Sequence, residues 1–282
     1  SPNFHKMISR TSNQGTALIS IPYRGLLNPD TTYYWRVRAR SEEGVWGAWS
    51  RIFSFTVQTP ALPENPTAVF DRTTRVAKLF WKPGHGGSVA ARYRIYGSAE
   101  KGFTANDIDY EISTGIEGIK TSPANLLFET QGLETSWIIP PGLWKPYFRV
   151  SAVDGNGCES GPSDVAELDH PLIVSEKLPD AVAGRYYEAP IEVSASIGHL
   201  VSAEEDGKPY QMRFRTADEP AFELAGAPKE LAINPSSGLI AGFLAQGQSE
   251  EYELLVTVTD KNKGGHDSRK FILKVVANDI DH

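Results

Sequence analysis

Cys158 is the only cysteine in the 282 residues, which rules out an intramolecular disulfide and any paired-cysteine metal or redox motif. A lone thiol of this kind is expected to be a small packed or half-exposed side chain. No run approaches 18 apolar residues, so no segment reads as a membrane-spanning helix. The opening Ser1-Pro2-Asn3-Phe4 is not a basic, apolar leader; any secretion signal is expected to have been removed or to lie upstream. Glycosylation sequons are missing too, because Asn65-Pro66-Thr67 and Asn234-Pro235-Ser236 are blocked by proline. With 28 Lys and Arg against 35 Asp and Glu, a net charge of −7 and no visible basic cluster, the sequence excludes a phosphate-backbone partner. Excess acid also gives no attraction to an anionic polysaccharide, which would need a local basic patch that the sequence does not display. The six histidines (5, 85, 170, 199, 266, 282) form no His-x-x-x-His pair, which argues against zinc.

Sustained 3.6-residue apolar periodicity is also missing. In its place, 25 Gly and 19 Pro punctuate short alternating runs. That pattern predicts an all-β chain of three tandem β-sandwich units of immunoglobulin-like type. The divisions fall at residues 1–59, 60–168 and 169–282, and Pro60-Ala61-Leu62-Pro63-Glu64-Asn65-Pro66 is a proline-stiffened linker. Disulfide-free and sequon-free β-modules lean toward a bacterial origin on composition alone.

In the first unit, Tyr33, Trp35, Val37 and Ala39 alternate with Tyr34, Arg36 and Arg38 and so face opposite ways. Trp35 is expected in the core. Leu27-Asn28-Pro29-Asp30-Thr31-Thr32-Tyr33 places a tyrosine hydroxyl where it can reach back to the loop, and Gly44-Val45-Trp46-Gly47-Ala48-Trp49-Ser50 leads into Arg51–Val57. These features resemble the second half of a fibronectin type III domain, with Tyr33 as its corner tyrosine. The resemblance implies that Trp46 and Trp49 stack on Arg36 and Arg38 as a cation–π ladder. About 100 residues and seven strands are usual for a sandwich of this kind. Residues 1–59 supply four, including 5–12 and 16–22. The chain is therefore expected to begin inside a domain completed by an upstream part of the same protein or by another chain.

In the second unit, Val76–Pro83, Ala91–Gly97 and Tyr147–Gly157 resemble strands B, C and F of another fibronectin type III domain, with Trp81 as core tryptophan. Pro146 stands where the corner tyrosine would be, so that hydrogen bond must be absent or replaced. Residues 100–134 exceed the family's need, and an insertion there is the expected place for unit-specific contacts. The third unit carries Asn234-Pro235-Ser236-Ser237-Gly238-Leu239-Ile240-Ala241-Gly242, the alternating Leu254, Val256 and Val258, and a closing run Phe271–Val276. It resembles the immunoglobulin/cadherin-like, dystroglycan-type domain of bacterial surface and secreted proteins.

Chemistry is sparse. Gly84-His85-Gly86-Gly87-Ser88 superficially matches an oxyanion loop but lacks the Gly-x-Ser-x-Gly elbow and α/β frame, so it reads as a flexible turn. No catalytic residue is assigned. Runs such as Glu204-Glu205-Asp206 read as solvated edges. Asp260 with Asn262, and Asn278, Asp279 and Asp281, are the oxygen ligands a calcium ion would use, with solvated turns as the alternative. For carbohydrate, Trp144 in its Pro-Gly turn is the best exposed aromatic, and Trp137 the second candidate. The resemblance implies a non-catalytic scaffold in a larger secreted or surface bacterial protein, with a polysaccharide lyase or glycoside hydrolase upstream. The alternative is adhesion or carbohydrate binding.

Overall fold

The computed structural model describes residue 27 and residues 31–113, 119–205, 208–215, 217–246 and 250–277. The expected strands 5–12 and 16–22, the corner loop 28–30, and Asn278, Asp279 and Asp281 lie outside the described residues. Among the described residues every regular element is a strand apart from one 3-10 turn. None is a helix long and apolar enough to cross a membrane.

In the first unit, β1 (Thr32–Trp35) pairs antiparallel with β2 (Phe53–Thr56). Beyond β1 the chain continues beside residues 46–50: Ser50 exchanges hydrogen bonds with Val37, Gly47 donates to Ala39, and Arg40 bridges Trp46. Trp35 stacks on Phe53 at 4.6 Å but remains 44% exposed. The expectation of a core Trp35 is therefore corrected: alternation sets its face, and the described strands lay nothing over that face.

The second unit has the expected sandwich order. One sheet joins β3 (Glu64–Asp71), β4 (Val76–Lys82) and β9 (Ser136–Ile139). The other runs β11-β10-β5-β8, from β5 (Ala90–Ser98), β8 (Leu126–Glu129), β10 (Tyr147–Asp154) and β11 (Ala166–Glu167). β4 presents Ala77, Leu79 and Trp81 inward while Lys78, Phe80 and Lys82 face out, as a period of two requires. Trp81 meets Tyr93 edge-on at 5.4 Å in the core. The insertion lies between β5 and β8 and contains a hairpin of β6 (Tyr110–Ser113) and β7 (Ile119–Ser122). Its Phe103 and Ala105 form a separate small cluster with Tyr96 and Tyr147.

Among the described residues the third unit has eleven strands. One sheet runs β13-β22-β21-β18, from β13 (Ala181–Val182), β18 (Pro220–Ala225), β21 (Glu250–Asp260) and β22 (His266–Val276), with β13 parallel to β22. Facing it are β14 (Tyr186–Pro190), β20 (Leu239–Phe243) and β19 (Leu231–Ile233). The short pair β12 (Leu172–Ile173) and β15 (Val193–Ser194) extends one end, and β16 (His199–Glu205) and β17 (Lys208–Arg215) form an inserted hairpin. Leu254, Val256, Val258, Phe271, Leu273 and Val275 fill the core from β21 and β22.

Both motif glycines of this unit have a steric reason. A Cβ on Gly238 (φ 71°) would meet the Phe222 ring at 2.8 Å, and one on Gly242 would strike the Glu230 carbonyl oxygen at 1.9 Å. The histidine-bearing glycine loop is explained in the same way. A Cβ on Gly84 or Gly87 would collide with the Leu62 or Thr59 carbonyl oxygen, and Ser88 N–H donates to Thr59. The loop is glycine-rich because the linker from the first unit runs against it.

Candidate functional site: the joint between the sandwiches

The β3–β4 turn of the second unit reaches into the third. Asp71 caps the turn by accepting from the Thr73 and Thr74 N–H groups, and Arg75 closes it in a left-handed conformation, φ 53°. For a residue with a Cβ that conformation costs about 1–2 kcal/mol, and it aims the guanidinium at β22. Arg75 grips both oxygens of Asp267 at 3.0 Å and donates to the Ile173 carbonyl at 2.8 Å. The Asp267 carboxylate, only 3% exposed, also accepts the Ile173 N–H at 2.8 Å. Two fork-type bonds and a backbone N–H thus compensate a buried anion. Arg72 adds an outer clamp, donating to the His266 carbonyl and to Asp169.

A second cluster lies where the chain passes between units. His170 Nδ1 lies 2.6 Å from Asp218 Oδ2, and its Nε2 faces Glu167 at 3.3 Å and the Tyr147 hydroxyl at 3.5 Å. Asp218 also accepts the Ser196 N–H at 2.6 Å and meets Lys263 at 3.3 Å. Tyr147, whose neighbour Pro146 replaces the corner tyrosine, bonds Ser196 Oγ at 2.9 Å across the joint. The insertion joins in: Ile197 N–H donates to Ala99 and Lys101 N–H to Gly198. Burial alone would push the His170 pKa down, but Asp218 and Glu167 raise it above the usual imidazole range against a small opposing effect of Lys263. Burial would push Asp218 up, but the bonds from His170, Ser196 and Lys263 hold it below the ordinary carboxylate range.

This tyrosine–histidine–aspartate order superficially suits proton transfer, yet all three side chains are inside the protein. A general base must reach the proton it removes, whereas His170 and Asp218 spend their contacts on each other and on Glu167, Ser196 and Lys263. The other gathering of carboxylates, Asp107, Glu129 and Glu159, is clamped by Arg94, with Arg92 also on Glu129. The hydrogen bond from Arg94 holds the Glu129 carboxyl below its ordinary range against the effect of burial, opposite to what a general acid needs.

Trp144, expected to be exposed, is 3% exposed. Its ring packs edge-on against Phe70 at 5.0 Å with Arg75 nearby, and its Nε1 donates to the Ile139 carbonyl. The 3-10 turn Pro141–Leu143 folds it inward. It also borders a groove of about 400 Å³ between the units, lined by Lys145, Pro146, Glu192, Ser194 and Ala195 among others. Trp137 is likewise buried, stacked on Phe128 at 4.9 Å. Neither indole offers a face to a sugar. Asp260 is also corrected as a calcium ligand. It is buried, and its oxygens accept the N–H groups of Glu219, Asn262 and Lys263, while Asn262 Nδ2 donates to Ala217. Among the described residues no group of three or more His, Cys, Asp or Glu is placed to hold a metal.

The ladder is present as sequence implied. Arg36 lies 4.4 Å over Trp49, Arg38 lies 4.5 Å over Trp49 and 4.2 Å over Trp46, and Arg40 adds a third rung 5.4 Å from Trp46. Tyr33 is half-buried and stacks on Phe55 at 5.9 Å. The joint itself was missed. Arg75 and Asp267 are unremarkable in sequence and 192 positions apart; only the left-handed turn residue is unusual, and it shows in the backbone alone.

Residues 6–59 match the family model described as the Rha78A-like, N-terminal immunoglobulin domain. No curated protein matches the chain. Among solved structures, a Fn3-like protein from Clostridium thermocellum is 25% identical, covering 40% of this chain and 94% of its own, with a TM-score of 0.21. Drosophila N-cadherin EC1-3 is 16% identical, covering 79% and 63%, with a TM-score of 0.28. An endo-fucoidan hydrolase from glycoside hydrolase family 107 is 12% identical, covering 88% and 34%, with a TM-score of 0.27. The strand orders give the chain the architecture of tandem β-sandwich units, and its residues 6–59 are similar to that immunoglobulin domain.

Proposed function

We propose that this chain is a non-catalytic scaffold in a larger secreted bacterial protein, holding neighbouring parts at a fixed spacing and angle. The carrying observation is the joint. A spacer that only needed reach would use a flexible linker, whereas here a buried Asp267 is matched by Arg75 from the preceding unit. Breaking such a pair leaves an uncompensated charge, so the two sandwiches resist independent motion. The resemblance of the second and third units to modules of secreted polysaccharide-degrading proteins supports a parent of that kind, a polysaccharide lyase or a glycoside hydrolase.

The test is a distance distribution by pulsed dipolar spectroscopy, with spin labels at Lys82→Cys and Ser236→Cys in a Cys158→Ser background. A single narrow distribution is expected, broadening in Arg75→Ala. A broad distribution in the unmodified joint would remove the scaffold reading. Release of reducing ends or unsaturated sugars by the purified chain, from any polysaccharide tested, would remove the non-catalytic one.

A further inference from the structure

Charge is segregated along this acidic chain. Residues 1–59 carry seven Lys and Arg against three Asp and Glu, and residues 60–282 carry 21 against 32. The arginines at the joint and on β5 of the second unit are matched to carboxylates: Arg72 and Arg75 to Asp169 and Asp267, Arg92 and Arg94 to Glu129. Three arginines of the first unit are held differently. Among the described residues, Arg38, Arg40 and Arg51 have no carboxylate within ion-pair distance; they lie instead over Trp46, Trp49 and Phe53. Trp46 is 40% and Trp49 47% exposed, so the stack stands at the surface.

We propose that this ladder binds an acidic polysaccharide, carboxylated or sulfated, through the guanidinium edges of Arg38 and Arg40. Stacking on an indole occupies the flat face of a guanidinium and leaves its edge; Arg40 gives its Nε–H to the Gly44 carbonyl, so its Nη groups are the ones left for a ligand. Those edges match a carboxylate or sulfate in the two-point geometry that arginine favours. The long side chains are already ordered by the rings, so less conformational entropy remains to be lost on binding. The −7 net charge does not prevent this contact. At about 0.15 M salt the screening length is about 8 Å, and the local excess of cations decides.

Single-stranded nucleic acid fits less well, because its bases need open aromatic faces. Trp49 already carries Arg36 and Arg38, and Trp46 carries Arg38 and Arg40. The inference goes beyond the scaffold reading and is independent of it, because the joint and the ladder share no residue.

The test is affinity electrophoresis of the full chain through gels containing polygalacturonate, dextran sulfate or neutral dextran, with a single-stranded oligonucleotide as a further arm. Retardation by one or both acidic glycans and not by dextran is expected, and which of the two retards it separates carboxylate from sulfate recognition. Arg38→Gln/Arg40→Gln should weaken retention at least about tenfold, a floor below what two fully formed charge-assisted contacts would give. Lys78→Gln/Lys229→Gln, far from the ladder in sequence, should leave retention unchanged. Should the arginine variant lose its strand circular dichroism, Glu42→Gln/Glu43→Gln supplies the second measurement. It removes the two acids of the 41–44 turn, and retention should tighten several-fold. The proposal is overturned by an absence of retention on either acidic glycan, by equal retention on dextran, or by oligonucleotide binding as tight as glycan binding. A folded arginine variant that binds like the native chain overturns it too, as does a turn variant with unchanged retention.

Discussion

Trp144 shows how a single residue can be placed correctly in sequence and wrongly in space. Its Pro-Gly turn is where the residue pattern puts it, but Phe70 and Arg75, which cover it, come from the end of β3 and the turn after it, about 70 positions earlier. No local pattern announces that contact. Trp144→Ala should therefore cost about 3–5 kcal/mol of stability, as truncation of a packed aromatic does, and leave polysaccharide retention unchanged. Urea unfolding and gel retardation on the same preparation check both halves. Gly238 makes the opposite case, since its role is legible in the turn motif. Gly238→Ala would force a Cβ against Phe222 at 2.8 Å in a left-handed conformation, at a cost of about 2 kcal/mol or more. A melting temperature within a degree of the native value would contradict this reading.

Strands were the most legible elements, because alternation along one strand reports burial directly. In β21, Leu254, Val256 and Val258 are buried while Glu253, Leu255 and Thr259 face outward. Val256→Thr, nearly isosteric, should cost about 1–3 kcal/mol by burying a hydroxyl without a partner. Thr259→Val should stay within about 0.5 kcal/mol, and chemical denaturation of the two variants provides the comparison. The ladder was legible only through the fibronectin type III resemblance, since alternation puts its arginines on one face but does not say that Trp46 and Trp49 cover them. What alternation does not give is the outer partner of an exposed face. Trp35 was expected in a core and stands 44% exposed, because a period of two says only that it lies opposite Tyr34 and Arg36. The joint was invisible for a related reason. A turn arginine and a strand aspartate carry no signal until two units fold and meet, and Asp260 likewise read as a ligand because its capping of its own turn depends on geometry.

At the scale of the whole molecule, the two clamps of the joint differ in burial and therefore in weight. Arg75→Ala strands a nearly inaccessible Asp267 and should cost about 3–5 kcal/mol. Arg72→Ala removes an exposed pair worth about 0–1 kcal/mol. The second cluster makes the joint sensitive to pH, and the sign follows from the directions of its shifts. The His170 pKa is raised by Asp218 and Glu167 against burial and Lys263. Its stabilising contribution is complete below the unfolded imidazole value of about 6.5 and is lost as pH rises through the higher folded value. The Asp218 pKa is lowered, so its contribution is present above about pH 3.9 and is lost on acidification through the lower folded value. Lys101 steadies the arrangement from the second unit by pairing with Glu167 at 2.8 Å, and Tyr147 packs edge-on to the imidazole. Urea midpoints measured from about pH 5 to pH 9 should decline once pH exceeds about 6.5, and His170→Gln should flatten that decline, because a side chain that does not titrate removes the difference in bound protons. The same slope in both proteins would place the titrating group elsewhere. The physical consequence is directional: mild acid, by keeping His170 charged against Asp218, tightens the contact that sets the angle between the sandwiches, and mild alkali loosens it.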